Sequence, residues 1–284
     1  MRHSMRVFLC AAGALALSAC APSADDEVDR ALRDINVIDE TNLNEVMLQS
    51  SDPDEAVAYF QRAAADDPQR IDLMRGLARS LVRAGRATEA VAAWERVTAH
   101  PDATDADRVS LADALIRNND WSRAGEVLET VPPTFETYDR YRLEAMVADS
   151  EKDWDKADSF YQTAVGLTTR PGPVLNNWGY SKLTRGDAAA AERLFADAVR
   201  QQPGLFTAKN NLVLARGAQG NYAMPVLPVT QEERAQLLYT LGLAAVKRGD
   251  VAIGRGLLQE AVETHPQHFD EAVRSLRALE TGAG

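Results

Sequence analysis

The sequence predicts an all-α solenoid of stacked helical hairpins, closed by a C-terminal capping helix. Three observations carry this expectation. A small residue recurs at Ala56, Ala90, Ala124, Ala157, Ala191, position 225 and Gly254, at spacings of 34, 34, 33, 34, 34 and 29 residues. Such a period marks an array, whereas the length of 284 residues alone would also allow two globular domains. The 47 alanines far outnumber the 18 aromatic residues, and small side chains suit closely packed helices better than a sheet of β-branched and aromatic residues. Within each period the pattern is helical. Phe60, Trp94, Leu128, Tyr161, Phe195 and Leu258 lie four residues after the small anchor, and Ala63, Ala164, Ala198 and Ala261 lie seven after it, positions that share one helical face.

The first element is an export signal over residues 1–19. Arg2 and Arg6 precede an apolar run from Val7 to Leu17 that ends in Ser18-Ala19-Cys20, the outline of a secretory signal peptide. Eleven helical residues reach about 16 Å, roughly half of a bilayer's hydrocarbon core, so the run is too short to anchor the chain by spanning. Leu17-Ser18-Ala19-Cys20 resembles the lipobox of bacterial lipoproteins, which implies that Cys20 receives a diacylglycerol and becomes the mature N-terminus. An ordinary cleavage site followed by a cysteine is the alternative. Several acyl chains on one residue would hold more firmly than a single chain. Cys10 would leave with the signal, and no other cysteine remains to pair with Cys20.

Residues 20–36, with Asp25, Asp26, Glu27 and Asp29, read as a lipidated, acidic tether. In enterobacterial lipoproteins an Asp after the lipidated Cys goes with the inner membrane; Ala21 stands there instead, and that resemblance implies the outer membrane. Without the signal the chain carries 42 acidic against 29 basic residues. Such a body is not expected to adhere to anionic lipid by itself, and with no basic stripe it is not expected to bind nucleic acid.

Hairpin units are expected from residue 37 to 268, starting near 37, 71, 105, 138, 172, 206 and 235. Twelve residues before five of the anchors stands another small residue, at Ala78, Ala112, Ala145, Gly179 and Gly242. Two antiparallel helices that cross within about 8–10 Å need residues without bulk at the crossing. Turns fall at Ala84-Gly85-Arg86, Asn118-Asn119-Asp120, Arg185-Gly186-Asp187 and Arg248-Gly249-Asp250, and Pro68, Pro203 and Pro266 end their units. The first unit is irregular because Asn44 takes the small slot of its first helix. In the third, the second helix runs early into Pro132-Pro133.

At position 225 the anchor is proline, followed by Pro228. A proline in a helix interior costs roughly 3 kcal/mol, so the sixth unit is expected to keep its first helix, about Thr207 to Ala218, and to lose its second near Pro225. Asn221 to Thr230 then reads as an extended loop across the stack, and Thr230 with Glu233 as a capping box for the last hairpin. The break is either a tolerated deletion or an opening for a partner or a hinge. Residues 269–284 form a capping helix and tail, with Ala272, Val273, Leu276 and Leu279 on one face.

In period and residue types this array resembles the tetratricopeptide repeat. The unit from Gly172 to Leu205 resembles it most, with Leu175, Asn177, Trp178, Gly179, Gly186, Ala191, Phe195, Ala198 and Pro203 at family-like positions. The resemblance implies a right-handed superhelix whose inner wall, lined by the first helix of each unit, binds protein segments. Asn176-Asn177 and Asn210-Asn211 recur one period apart, and by the family pattern the first Asn of each pair points into the groove. An amide there can pair with the backbone of an extended peptide. Asn176, Asn210, Tyr180, Tyr239, Arg75 and Arg79 are the candidate groove contacts.

The lipobox, the Asn-Asn-Trp-Gly-Tyr unit, the Lys209-Asn-Asn-Leu helix and the proline-containing break before Gln-Leu-Leu-Tyr-Thr-Leu-Gly-Leu-Ala together look like the TadD lipoproteins of Flp/Tad pilus assembly. That resemblance implies a scaffold that helps place or stabilise an outer-membrane secretin, with other pilus assembly components as further partners. A general envelope adaptor for cell-wall enzymes or outer-membrane biogenesis is the alternative.

No catalytic residue, cofactor, metal or small-molecule substrate is expected. Neither Gly-x-Ser-x-Gly, His-Glu-x-x-His nor Gly-x-Gly-x-x-Gly after a strand is present. Gly249 to Gly256 echoes a phosphate loop but lacks its Lys and Ser/Thr, and Gly254 is already the repeat anchor. His265 and His268 flank Pro266, yet His100-Pro101 occupies nearly the same repeat position, so both pairs read as turns between hairpins.

Overall fold

The structure, a computed structural model, describes residues 43–45, 47–49 and 52–281. The signal 1–19, Cys20 with the tether to residue 36, and residues 37–42 lie outside the described residues. Residues 43–45 and 47–49 are helical. Thirteen complete helices follow among the described residues. They are α1 (Pro53–Asp66), α2 (Ile71–Arg83), α3 (Ala87–Thr98), α4 (Asp105–Arg117), α5 (Trp121–Glu129), α6 (Tyr138–Glu151), α7 (Trp154–Gly166), α8 (Gly172–Thr184), α9 (Ala188–Gln201), α10 (Phe206–Ala218), α11 (Gln231–Arg248), α12 (Val251–Thr264) and α13 (Asp270–Thr281). Each packs on its neighbours in the chain, which makes the fold a solenoid of hairpins.

The hairpin turn repeats one device. Gly85, Asn119, Lys152, Gly186 and Gly249 each take the left-handed backbone conformation between the two helices of a unit, which lets the chain reverse within three residues. Lys152 is the unexpected member, because a side chain in that conformation costs about 1–2 kcal/mol. At three of these turns the acid that follows caps the second helix: Asp120 accepts from the Arg123 amide at 3.3 Å, Asp153 from Lys156 at 3.3 Å and Asp187 from Ala190 at 3.0 Å.

The small residues lie where the two helices of a unit cross. Ala78 and Ala90, Ala112 and Ala124, and Ala145 and Ala157 are all fully buried pairs. In the last hairpin the approach is tighter, since a β-carbon on Gly254 would lie 2.8 Å from the Gly242 carbonyl oxygen. One on Gly179 would lie 2.7 Å from the Phe195 ring. Gly179→Ala is therefore expected to destabilise the chain by about 1–2 kcal/mol, an overpacking cost partly offset by alanine's better helix propensity. A urea midpoint equal to or above that of the parent would contradict this crossing geometry.

One continuous apolar core runs from α1 to α6, with Phe60, Trp94, Leu115 and Leu143 at its centre. Beyond α6 the apolar packing divides into smaller clusters, and polar contacts join them. Between the fourth and fifth units Asp158 of α7 accepts from the Trp178 indole at 2.6 Å and from Lys182 at 2.7 Å, both on α8, and also pairs with Arg185 at the C-terminal end of α8. Asp149 of α6 accepts from Tyr161 at 2.8 Å and from Ser181 of α8 at 2.6 Å.

In the sixth unit α10 has no partner helix. Residues 221–230 have no regular secondary structure and form a strap, and its Leu227 packs against three clusters, those that contain Val199, Phe195 and Leu237. The far end is pinned by Lys209, 3% exposed, whose Nζ donates to the Pro228 carbonyl at 2.6 Å and to Glu233 at 3.0 Å. Thr230 and Glu233 form a capping box at the start of α11. At the C-terminal end Phe269 and Ala272 seal the last hairpin against Ala235, Leu238 and Ala261.

Candidate functional site

A groove of about 950 Å³ runs along the first helices of the first four units. Glu45 and Leu48 line it at one end, α2 contributes Asp72, Arg75, Arg79, Val82 and Arg83, α4 contributes Val109 and Asp113, and Phe135, Asp139, Arg142 and Leu143 close the other end. Helical spacing of three and four puts Arg75, Arg79, Val82 and Arg83 on one face of α2.

Most charges of the groove are already paired. Arg75 binds Asp107 through two parallel hydrogen bonds of 2.8 and 2.7 Å and reaches the Asp102 carbonyl at 3.2 Å. It thereby ties the second unit to the third and serves the stack. Burial alone would raise the Asp107 carboxyl, but hydrogen bonds from Arg75 and from the Thr104 amide and hydroxyl hold it below the ordinary carboxylate range. Arg83 donates to the Leu48 carbonyl at 2.6 Å. Arg142 pairs with Asp113 at 3.1 Å and Asp139 at 3.5 Å. Arg79 is exposed on the groove wall and has no hydrogen bond or ion pair to any described residue.

The other candidate contacts lie further along the stack and do not line this groove. The Asn176 side-chain oxygen accepts from Asn211 at 3.0 Å, and that of Asn210 accepts from Thr240 at 2.6 Å. The first Asn of each pair thus joins one unit to the next through its oxygen, which the family pattern did not indicate. Tyr180 is 55% exposed. Tyr239 is half-buried, with its ring against Phe269 at 5.4 Å and its hydroxyl 3.5 Å from Ser275, so it packs under the cap.

Asp107, Trp94 and Lys209 were not named as site or pairing residues by sequence reasoning. Asp107 alone carried a usable signal, as an acid at the third position after Thr104, where a capping box places it. A second cavity, of about 430 Å³, lies beside the strap between Ala196, Val199, Leu212 and residues 225–228. Among the described residues no group of three or more His, Cys, Asp or Glu could hold a metal, and no helix is long and apolar enough to cross a membrane.

Tandem hairpins with small residues at each crossing and an open groove along the first helices define a tetratricopeptide-type solenoid, a fold whose general use is non-catalytic protein interaction. A tetratricopeptide repeat family model matches residues 47–106. Among solved structures, a chain of the APC/C hetero-tetramer Cut9–Hcn1 superposes with a TM-score of 0.60 at 12% identity, over 83% of this chain and 48% of that one. The present chain thus spans about half the length of that relative. A tetratricopeptide repeat protein from Parabacteroides merdae gives 0.56 at 12% identity over 84% of this chain and 96% of its own. Human IFIT1, as a dimer with PPP-AAAA, gives 0.55 at 17% identity over 80% of this chain and 59% of its own. These likenesses are of fold. No curated protein sequence matches the chain.

Proposed function

We propose that this protein is an exported, lipid-anchored periplasmic scaffold that holds an extended segment of a partner protein along its inner wall and assists Flp/Tad pilus assembly, by placing or stabilising the outer-membrane secretin. The observation that carries segment binding is the groove over α2, α4 and α6, with an apolar floor and a guanidinium, at Arg79, that no described residue engages. The lipobox-like Leu17-Ser18-Ala19-Cys20 supports the anchor. The TadD-like layout of the last eighty or so residues supports the pilus assignment. Asn176, Asn210 and Tyr180 extend the contact surface toward the C-terminal units.

Cys20→Ser is expected to move the protein from the membrane fraction to the soluble periplasmic fraction and to reduce secretin multimers in the outer membrane. Unchanged secretin assembly in a strain lacking the protein would overturn the pilus assignment. Co-purification dominated by peptidoglycan hydrolases or barrel-assembly proteins would move the reading to a general envelope adaptor.

A further inference from the structure

Resting on the groove reading, we propose that the groove over α2, α4 and α6 selects an extended peptide carrying one aspartate or glutamate beside a bulky apolar residue, with Arg79 as the partner of the carboxylate. The inference comes from the charges that the fold leaves unmatched. Arg75, Arg83 and Arg142 are engaged by Asp107, by main-chain carbonyls and by Asp113. On the acidic side, Asp72 is held by Arg70, Asp113 by Arg117 and Arg142, and Asp139 by Arg142, while Glu45 accepts from Gln49. Arg79 is left as the guanidinium of the groove that no described residue engages, so a carboxylate is the group that pairs with it.

The floor beneath it is apolar, with Leu48, Val82, Val109 and Leu143 able to receive an aliphatic or aromatic side chain. Trp94 lines the same floor at 2% exposure. A polyanion does not fit: Glu45, Asp72, Asp113 and Asp139 line the same groove, and the whole chain carries a net charge of -11. One carboxylate is welcome there, and a run of phosphates is repelled.

The test is a positional-scanning library of hexapeptides, acetylated and amidated so that terminal charges play no part, read on the full chain and on Arg79→Ala and Arg79→Glu. Circular dichroism checks that both variants keep the parent fold, as expected for an exposed position. The parent should enrich Asp or Glu next to Leu, Ile or Phe. Arg79→Ala should weaken the selected peptide about tenfold or more, and Arg79→Glu should shift the enriched residue to Lys or Arg. Peptide binding with no acidic preference, or with the same profile in Arg79→Glu, overturns the inference and leaves the groove reading standing. If the parent binds no hexapeptide, or prefers an RNA hexamer, both fall.

Discussion

Glu233→Ala is expected to lower the stability of the folded chain by about 3 kcal/mol, through two losses with one cause. The Glu233 carboxylate accepts from Lys209 at 3.0 Å, and Lys209 is almost fully buried. Removing one partner of such a pair leaves a charge with too little compensation, which typically costs about 3–5 kcal/mol, and the residual bond to the Pro228 carbonyl keeps the effect toward the lower end. Glu233 also closes the capping box by accepting from the Thr230 amide at 3.2 Å. A cap is worth about 1 kcal/mol, and Thr230→Ala measures its other half, the hydroxyl that accepts from the Glu233 amide at 3.1 Å. Combining Glu233→Ala with Lys209→Met should recover much of the loss, because the stranded charge is then absent. A urea midpoint for Glu233→Ala within about 0.5 kcal/mol of the parent would mean that the strap is held by something other than this pair.

Asp158→Ala should cost about 2–3 kcal/mol near neutral pH and should also flatten the acid limb of the stability profile. One carboxylate receives the Trp178 indole, the Lys182 ammonium and the Arg185 guanidinium, and hydrogen bonds to charged groups are the stronger kind. Burial would raise the Asp158 carboxyl, but hydrogen bonds from Arg185, Lys182 and Trp178 hold it below its ordinary range. A carboxyl lowered on folding contributes stability above its unfolded pKa and loses it as the pH falls below about 4. Asp149 has the opposite sign: burial raises its carboxyl despite the Ser181 and Tyr161 bonds, so it offsets part of that acid loss. The parent should therefore weaken below about pH 4, and Asp158→Ala less steeply. Parallel curves from pH 7 to pH 3 would show that this joint contributes little to the acid response.

The positions legible in the sequence are those where a periodic steric demand acts. Ala78 with Ala90 and Ala112 with Ala124 had to be small because two backbones meet there, and that demand repeats every unit. Gly85, Gly186 and Gly249 mark turns for the same reason, whereas Lys152 escaped notice because glycine is only the easiest solution to a left-handed turn. Pro225 and Pro228 announced a missing helix, but not that Leu227 would fill part of its place. The site was less legible than the fold. Arg75 and Arg79 share a face of α2, and sequence pattern gave no means to tell that Asp107, 32 residues beyond Arg75, engages Arg75 and not Arg79. Pairing across units depends on the superhelical offset between helices, which no local pattern encodes.

The strap also changes what the stack presents to its surroundings. A helix hides its own peptide groups, so a helical protein offers other chains little main chain to pair with, while residues 221–230 run without regular structure across the place of a helix. Val226 is wholly exposed, and the amides of Val226 and Leu227 make no hydrogen bond to any described residue. Such a segment resembles the unpaired edge of a sheet, the kind of surface on which strands add and aggregates begin. Pro225 and Pro228 stand on either side of those two amides. Having no N–H to donate, they limit any strand ladder to two consecutive donors, too few to seed a sheet. The prolines that ended the helix thus also guard the opening they made.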